Sequence, residues 1–228
     1  MTTESLPSLA ILGGTGDLGT GLARRWAQAG YEVIIGSRTQ DKAEAAVADL
    51  REIMAERGVT EVSVRAMENL AAAEAADIVT LTVPFSHQAS TLELVKPALQ
   101  GKILIDVTVP LVPPKVARVQ LPSAGSAGQI AQNLLGEEVA VVSAFQNVAA
   151  AHLQEGRGLE CDVLVSGNKK AAREQVIKLV EAAGMRGFHA GMINNAAAAE
   201  ALTSVLITIN KRYGCHAGIK ISGLDDAS

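Results

Sequence analysis

The segment Gly13-Gly14-Thr15-Gly16-Asp17-Leu18-Gly19 follows directly on the apolar run Leu9 to Leu12 and opens directly into a stretch of helical period, Leu18 to Ala29. A G-x-G-x-x-G at a strand-to-helix junction constrains fold and chemistry together. Gly14 allows the tight turn, Gly16 lets a backbone approach a pyrophosphate with no Cβ in the way, and Gly19 lets helix and strand pack closely. The helix N-terminus adds unpaired N–H groups and the positive end of its dipole. A glycine-rich turn can also be a plain tight connection. Here the strand before, the helix after and a second strand at the expected distance point to dinucleotide binding, with Thr15, Gly16, Asp17 and Leu18 nearest the phosphates.

The rest of the chain repeats this alternation, and βαβα order implies a parallel sheet covered by helices on both faces. Strands are expected at Leu9 to Leu12, Val33 to Ile35, Val62 to Val64, Ile78 to Val83, Lys102 to Ile105, Val139 to Ser143 and Asp162 to Val165, with an eighth at Gly187 to His189. Helices are expected at Leu18 to Ala29, Asp41 to Arg57, Ser86 to Leu99, Lys169 to Ala183 and from about Asn195 onward. The fold class is therefore α/β: a Rossmann-type, doubly wound, mainly parallel sheet, with a small helical domain at the C-terminal end. The boundary between the two parts falls near Ser143 to Ala151. Val107 to Gln129 carries four of the seven prolines and no clear period, so it reads as an extended loop, either a binding loop or a surface excursion.

Which dinucleotide is bound is decided at the end of the second strand. NAD-binding chains place a carboxylate there for the ribose hydroxyls. This chain has Gly36-Ser37-Arg38 instead, with Lys42 four residues further on. A carboxylate would repel a 2′-phosphate, whereas a hydroxyl and a guanidinium bind it, so the residues favour NADP over NAD.

Three more segments end strands at the carboxyl edge, where open α/β sheets hold their ligands. They are Thr82-Val83-Pro84-Phe85-Ser86-His87, Asp106-Val107-Thr108-Val109-Pro110-Leu111 and Ser143-Ala144-Phe145-Gln146-Asn147-Val148. Pro84 and Phe85 can wall a cofactor, and His87 is either a surface residue or a proton donor. No G-x-S-x-G elbow, Tyr-x-x-x-Lys pair, HExxH or acidic metal cluster is present, and the four histidines are scattered. No catalytic side chain and no metal site is assigned. Hydride transfer between two organic cofactors needs little proton-transfer machinery, because the cofactors carry the chemistry.

A net charge of −4 argues against a general affinity for nucleic acid or an anionic membrane. Met1 to Pro7 reads as a frayed tail without the order of a secretion signal, and Ala196 to Ile209 as a buried helix too short and too polar to span a bilayer. Two distant cysteines fit a reducing compartment, and a cytoplasmic protein is expected.

With these residues together, the chain resembles the NADPH-dependent reductases of coenzyme F-420, a deazaflavin hydride carrier, along nearly its whole length. The glycine loop, Gly36-Ser37-Arg38 with Lys42, and Phe85 after a proline resemble that family's NADP site. Val109-Pro110, Gln146-Asn147 and the ending Gly218-Ile219-Lys220 make the resemblance more specific. The resemblance implies NADP and F-420 as cofactors, a Rossmann domain at residues 1–148, a small C-terminal domain at 149–228 that completes the deazaflavin cleft, and a homodimer. It places Val109, Pro110 and Leu111 in the loop between nicotinamide and deazaflavin, Ala150 near the NADP, and Gly214 to Lys220, Ala217 among them, near the deazaflavin, with backbone groups of Thr108 to Leu111 as candidates to grip that ring. Some members carry His where Gln146 stands. Asn147 reads as a deazaflavin contact or as a turn residue, and Lys211, Arg212 and Lys220 are available to an acidic cofactor tail. An NADPH reductase of a flavin, ferric chelate or small imine, or a non-catalytic NADP(H) sensor, are the alternatives that the NADP half alone leaves open.

Overall fold

The computed structural model describes residues 6–155 and 159–223. The frayed tail expected for Met1 to Pro7 therefore lies outside the described residues up to Ser5. The elements are β1 (Leu9–Leu12), α1 (Asp17–Gln28), β2 (Val33–Ser37), α2 (Gln40–Glu56), β3 (Val64–Glu68), α3 (Asn69–Ala75), β4 (Ile78–Leu81) and α4 (Gln88–Val95). They continue with β5 (Ile103–Asp106), α5 (Ala127–Leu135), β6 (Ala140–Ser143), α6 (Ala150–Gln154), β7 (Asp162–Gly167), α7 (Lys170–Ala182), β8 (Arg186–His189) and α8 (Ala196–Tyr213).

The strand order is β3-β2-β1-β4-β5-β6-β7-β8. The strands from β3 to β6 are all parallel, β7 joins β6 antiparallel, and β8 runs parallel to β7. Every residue of β1, β2, β4 and β6 is buried, as a sheet covered on both faces requires. Two apolar clusters result. One holds Trp26 of α1 with Leu50 of α2 and Leu179 of α7; the other holds Leu92 of α4, Ala131 of α5 and Ala196 of α8. The Trp26 indole N–H donates to the Leu179 carbonyl at 2.8 Å, and its ring meets Phe145 edge-on at 6.0 Å. The first helix is thereby tied to α7 and to the end of β6.

Several elements differ from expectation. The third strand runs Val64–Glu68 and shares only Val64 with the expected Val62 to Val64, because pairing with β2 sets its register from Val33↔Val64 to Ser37↔Glu68. The expected helix from Ser86 to Leu99 is divided: a 3-10 turn at Phe85–His87, then α4, then a second 3-10 turn at Lys96–Leu99 that contains Pro97. The irregular stretch ends at Ser126 instead of Gln129, since the Ser126 hydroxyl accepts the Gln129 N–H at 2.9 Å and starts α5. The short helices α3 and α6 complete the differences.

Candidate active site

The strand order reverses direction between β1 and β4, the place where an open α/β sheet leaves a crevice at its carboxyl edge. A cleft of about 940 Å³ lies there. Thr15, Gly16 and Leu18 form one side of it. The glycine loop is braced from behind: Gly13 N–H donates to Asn69 Oδ1 at 3.2 Å, and Gly14 N–H to the Gly36 carbonyl at 2.9 Å. Gly13 has a φ of +69°, and a Cβ on it would meet Val83 at 2.5 Å. A Cβ on Gly16 would meet nothing within 4 Å, so the loop leaves open space where the backbone faces the cleft. Asp17 begins α1 and is exposed; its carbonyl accepts from Gln154 Nε2 at 2.5 Å.

Ser37, Arg38 and Lys42 line the same cleft at the end of β2 and the start of α2. Ser37 is buried, while Arg38 and Lys42 are exposed, and neither cation is in an ion pair among the described residues. Two uncommitted positive charges beside a hydroxyl can hold a phosphate ester in charge-assisted bonds.

The opposite wall comes from the ends of β4 and β5. Thr82, Val83, Pro84, Phe85 and His87 line it, as do Thr108, Val109 and Leu111. Pro110 is buried behind this wall and does not line the cleft; Leu111 N–H donates to the Val109 carbonyl at 2.7 Å, a three-residue turn centred on Pro110. Thr108 is held by a buried carboxyl. Asp106 Oδ1 accepts its N–H at 2.9 Å and its hydroxyl at 2.7 Å, and Asp106 Oδ2 accepts from Gln88 Nε2 at 2.6 Å. Burial pushes the Asp106 carboxyl above the usual range, against the pull of the Thr108 and Gln88 hydrogen bonds.

The other expected residues are not in this lining. Gln146 is buried, its Nε2 donating to the Asp106 carbonyl and to Ser143 Oγ, each at 2.8 Å; its Oε1 is sealed without a partner among the described residues. Asn147 Nδ2 donates to the Ala199 carbonyl at 2.8 Å, tying the end of β6 to α8. Ala150 opens α6, and Ala217 N–H donates to Asn210 Oδ1 at 2.7 Å. Their neighbours Ala149 and Gly218 line a second cavity of about 430 Å³ that also holds His152, Cys161 and His216. His152 and His216 meet edge-on at 5.5 Å.

Sequence reasoning did not assign Asn69, which lines the cleft, nor Gln88 and Glu200, which are buried outside its lining. Glu200 is buried in α8 and accepts the Ala127 and Gly128 N–H groups at 2.6 and 3.0 Å. Burial raises its pKa to about 7, against those two hydrogen bonds and with the help of the Asp106 charge. A lone Glu within an apolar helix was the available signal.

Fold and cleft together define a Rossmann-type dinucleotide-binding protein whose second-strand end suits a phosphorylated ribose. The family model for NADP oxidoreductase coenzyme F420-dependent matches residues 8–110. The chain is 40% identical over 223 residues to an F-420-dependent NADP reductase of Methanocaldococcus jannaschii, covering 95% of this chain and 99% of that one. It is 40% identical over 225 residues to the F-420-dependent NADP reductase of Methanothermobacter marburgensis, covering 96% and 99%. A solved chain from Arthrobacter sp. FB24, described as a candidate F-420-dependent NADP reductase, superposes with a TM-score of 0.76 at 27% identity over 95% of this chain and 100% of that one. The chain belongs to the family of F-420-dependent NADP reductases.

Proposed function

We propose that the chain catalyses reversible hydride transfer between NADP(H) and coenzyme F-420. The observation that carries this reading is one continuous cleft that joins the glycine loop, the Ser37-Arg38-Lys42 cluster and the apolar wall of Val109 and Leu111. Full-length relatives named for this activity support it. When bound, the two cofactors supply the redox chemistry, a hydride exchanged between the nicotinamide and the deazaflavin. The protein binds, orients and excludes water. The glycine loop takes the pyrophosphate, with Thr15 to Leu18 presenting backbone at the start of α1. Ser37, Arg38 and Lys42 take the 2′-phosphate. Phe85 and the Thr108 to Leu111 wall hold the rings, with Pro110 stiffening the turn from behind.

Residues 1–148 are the NADP-binding part and 149–228 the small C-terminal part that closes the deazaflavin side. The second cavity beside Ala150 and Ala217 supports this division, with Gln146 and Asn147 bracing it from β6. No helix among the described residues is long and apolar enough to cross a membrane. In this reading the protein works in the cytoplasm without a nucleic-acid partner. It acts as a homodimer. Exposed Val205 and Tyr213 on α8, and Val119 and Leu121 on the loop that packs on it, support an apolar contact there. Mixing NADPH with F-420 and following both absorbances tests the activity. Stoichiometric loss of both oxidised F-420 and NADPH is expected; NADPH that stays reduced would overturn the reading.

A further inference from the structure

Ala127 joins two buried polar groups that lie far apart in sequence. Its N–H donates to Glu200 Oε2 at 2.6 Å, and its carbonyl accepts from Gln88 Nε2 at 2.9 Å. Glu200 Oε1 accepts the Gly128 N–H at 3.0 Å, so one carboxyl from α8 spans the first two amides of α5. On the other side of Ala127, Gln88 Nε2 reaches Asp106 Oδ2 at 2.6 Å and Thr108 Oγ1 at 2.9 Å. Asp106 then holds Thr108 by both its N–H and its hydroxyl. Thr108 is where this chain of bonds meets the cleft. Glu200 and Gln88 are each 1% exposed and Asp106 is 0% exposed, so these links are shielded from bulk solvent.

The helix α5 does not need Glu200 in order to form, because Ser126 already caps it. What the carboxyl adds is placement: a negative charge set against the positive end of α5 by an element from the other end of the chain. Ionised, the group accepts from both amides. Neutral, whether as an acid or as an amide, it turns one donor toward an N–H and can serve only one of them well. Burial and the Asp106 charge oppose ionisation, leaving this carboxyl near pH 7. A charge kept in place against burial contributes little to stability and much to geometry.

We propose that Glu200 is a positioning residue for hydride transfer: by seating the first turn of α5 it fixes the Ala127–Gln88–Asp106–Thr108 chain and, through it, the Thr108 to Leu111 wall. This rests on the reading of that wall as the place where the two rings meet. Small displacements of reacting groups cost up to about two orders of magnitude in rate, so a wall held through hydrogen bonds to α5 is a control point for transfer.

The test measures four quantities on the full-length Glu200→Gln protein at pH 8: melting temperature, NADPH Kd, the stopped-flow rate of transfer to F-420, and hydrogen exchange at Thr108, Ala127 and Gly128. The melting temperature is expected to hold or rise, Kd to stay within about twofold, transfer to slow by about tenfold or more, and exchange to quicken at all three amides. Gln88→Met leaves the Glu200 bonds intact and cuts the chain downstream, so it should quicken exchange at Thr108 but not at Ala127 or Gly128, with the same slow transfer. Wild-type transfer in Glu200→Gln overturns the proposal, and so does loosening of Ala127 and Gly128 while Thr108 stays protected. A common fall in melting temperature, NADPH affinity and rate marks a merely structural residue and also overturns it. If the wild-type protein fails to reduce F-420, the functional reading falls, and the Thr108 exchange in the two variants alone decides for or against the linkage.

Discussion

Gly19 faces Gly14 so closely that a Cβ on Gly19 would lie 2.7 Å from the Gly14 Cα and 2.9 Å from its carbonyl oxygen. Both contacts are backbone, so no side chain can swing aside to make room. Gly19→Ala should therefore push α1 away from the glycine loop, destabilise the fold by about 1 to 3 kcal/mol and weaken NADPH at least tenfold. Gly16→Ala has free space on every side and should melt within about 2 °C of wild type, yet it places a methyl where the pyrophosphate approaches. Thermal melts with NADPH fluorescence titrations separate the two. Equal melting temperatures for both variants would contradict the close packing.

Arg38 and Lys42 face the cleft from one side with no carboxylate partner among the described residues, and Ser37 ends β2 beside them. Losing one charge-assisted bond costs about 1.5 to 3 kcal/mol. Arg38→Ala should weaken NADPH by roughly tenfold or more and leave NADH almost unchanged. Isothermal titration with both nucleotides checks it, and parallel losses would remove the 2′-phosphate assignment.

Glu200 makes stability depend on pH in an unusual direction. Its pKa is about 7 in the folded chain and near 4.5 when unfolded. Between those values the folded state holds a proton that the unfolded state has released, so stability is highest below pH 4.5, falls as pH rises to 7, and is level above that. The span corresponds to about 3 kcal/mol. Glu200→Gln cannot ionise, so the difference in unfolding free energy between it and wild type should grow in favour of the variant from pH 5 to pH 8. Urea unfolding at four pH values measures this. A constant difference would show that Glu200 titrates normally.

Arg24 is 5% exposed in α1, and its Nε and Nη2 have no hydrogen-bond partner among the described residues. Burial lowers its pKa first, and the charges of Arg57 and Arg25 lower it further. Arg25, by contrast, donates to the carbonyls of Leu153, Ala183 and His152. The two neighbours should answer truncation oppositely. Arg24→Leu removes buried N–H groups that lack a partner among the described residues and is expected to raise stability by about 1 kcal/mol, whereas Arg25→Leu leaves the Leu153 and Ala183 carbonyls without their donor, the His152 carbonyl keeping the Glu155 N–H, and should lower it by about 2 kcal/mol or more. Denaturant midpoints decide, and a loss in Arg24→Leu as large as in Arg25→Leu would show that Arg24 has a partner of its own.

What the sequence made legible was local chemistry. The glycine loop, the missing carboxylate at Ser37-Arg38 and the alternation of strand and helix each depend on neighbours within a few residues, and the cleft gathers them as expected. Side-chain direction was not legible: Pro110 and Leu111 are adjacent, yet only Leu111 faces the cleft. Long-range polar pairing was hidden as well, since Glu200 and Ala127 are 73 residues apart and nothing in either segment names the other. The start of α5 is legible in Ser126-Ala127-Gly128-Gln129, which has the spacing of a capping box, but the proline-bearing aperiodic stretch before it masks that signal.

The turn at Pro110 offers a test of how the wall works. The Val109 carbonyl accepts the Leu111 N–H at 2.7 Å across Pro110, and the φ that a pyrrolidine ring imposes suits the centre of such a turn. Pro110 is buried, so it acts through the backbone, while Val109 and Leu111 on either side meet the cleft. Pro110→Gly keeps the cleft surface and frees the turn, and Leu111→Ala keeps the turn and removes the surface. Both should slow transfer to F-420, by about tenfold or more, with the NADPH Kd measured alone shifting less than about threefold. They should differ in temperature response. Freeing the turn enlarges the set of wall conformations, so the deficit of Pro110→Gly should deepen on warming from 15 to 40 °C, whereas the loss of fixed surface in Leu111→Ala should change little. Stopped-flow rates over that range distinguish the two. Normal transfer in Pro110→Gly would show that the turn does not need its proline, and NADPH binding lost in step with turnover would move this segment from the ring wall to the nucleotide site.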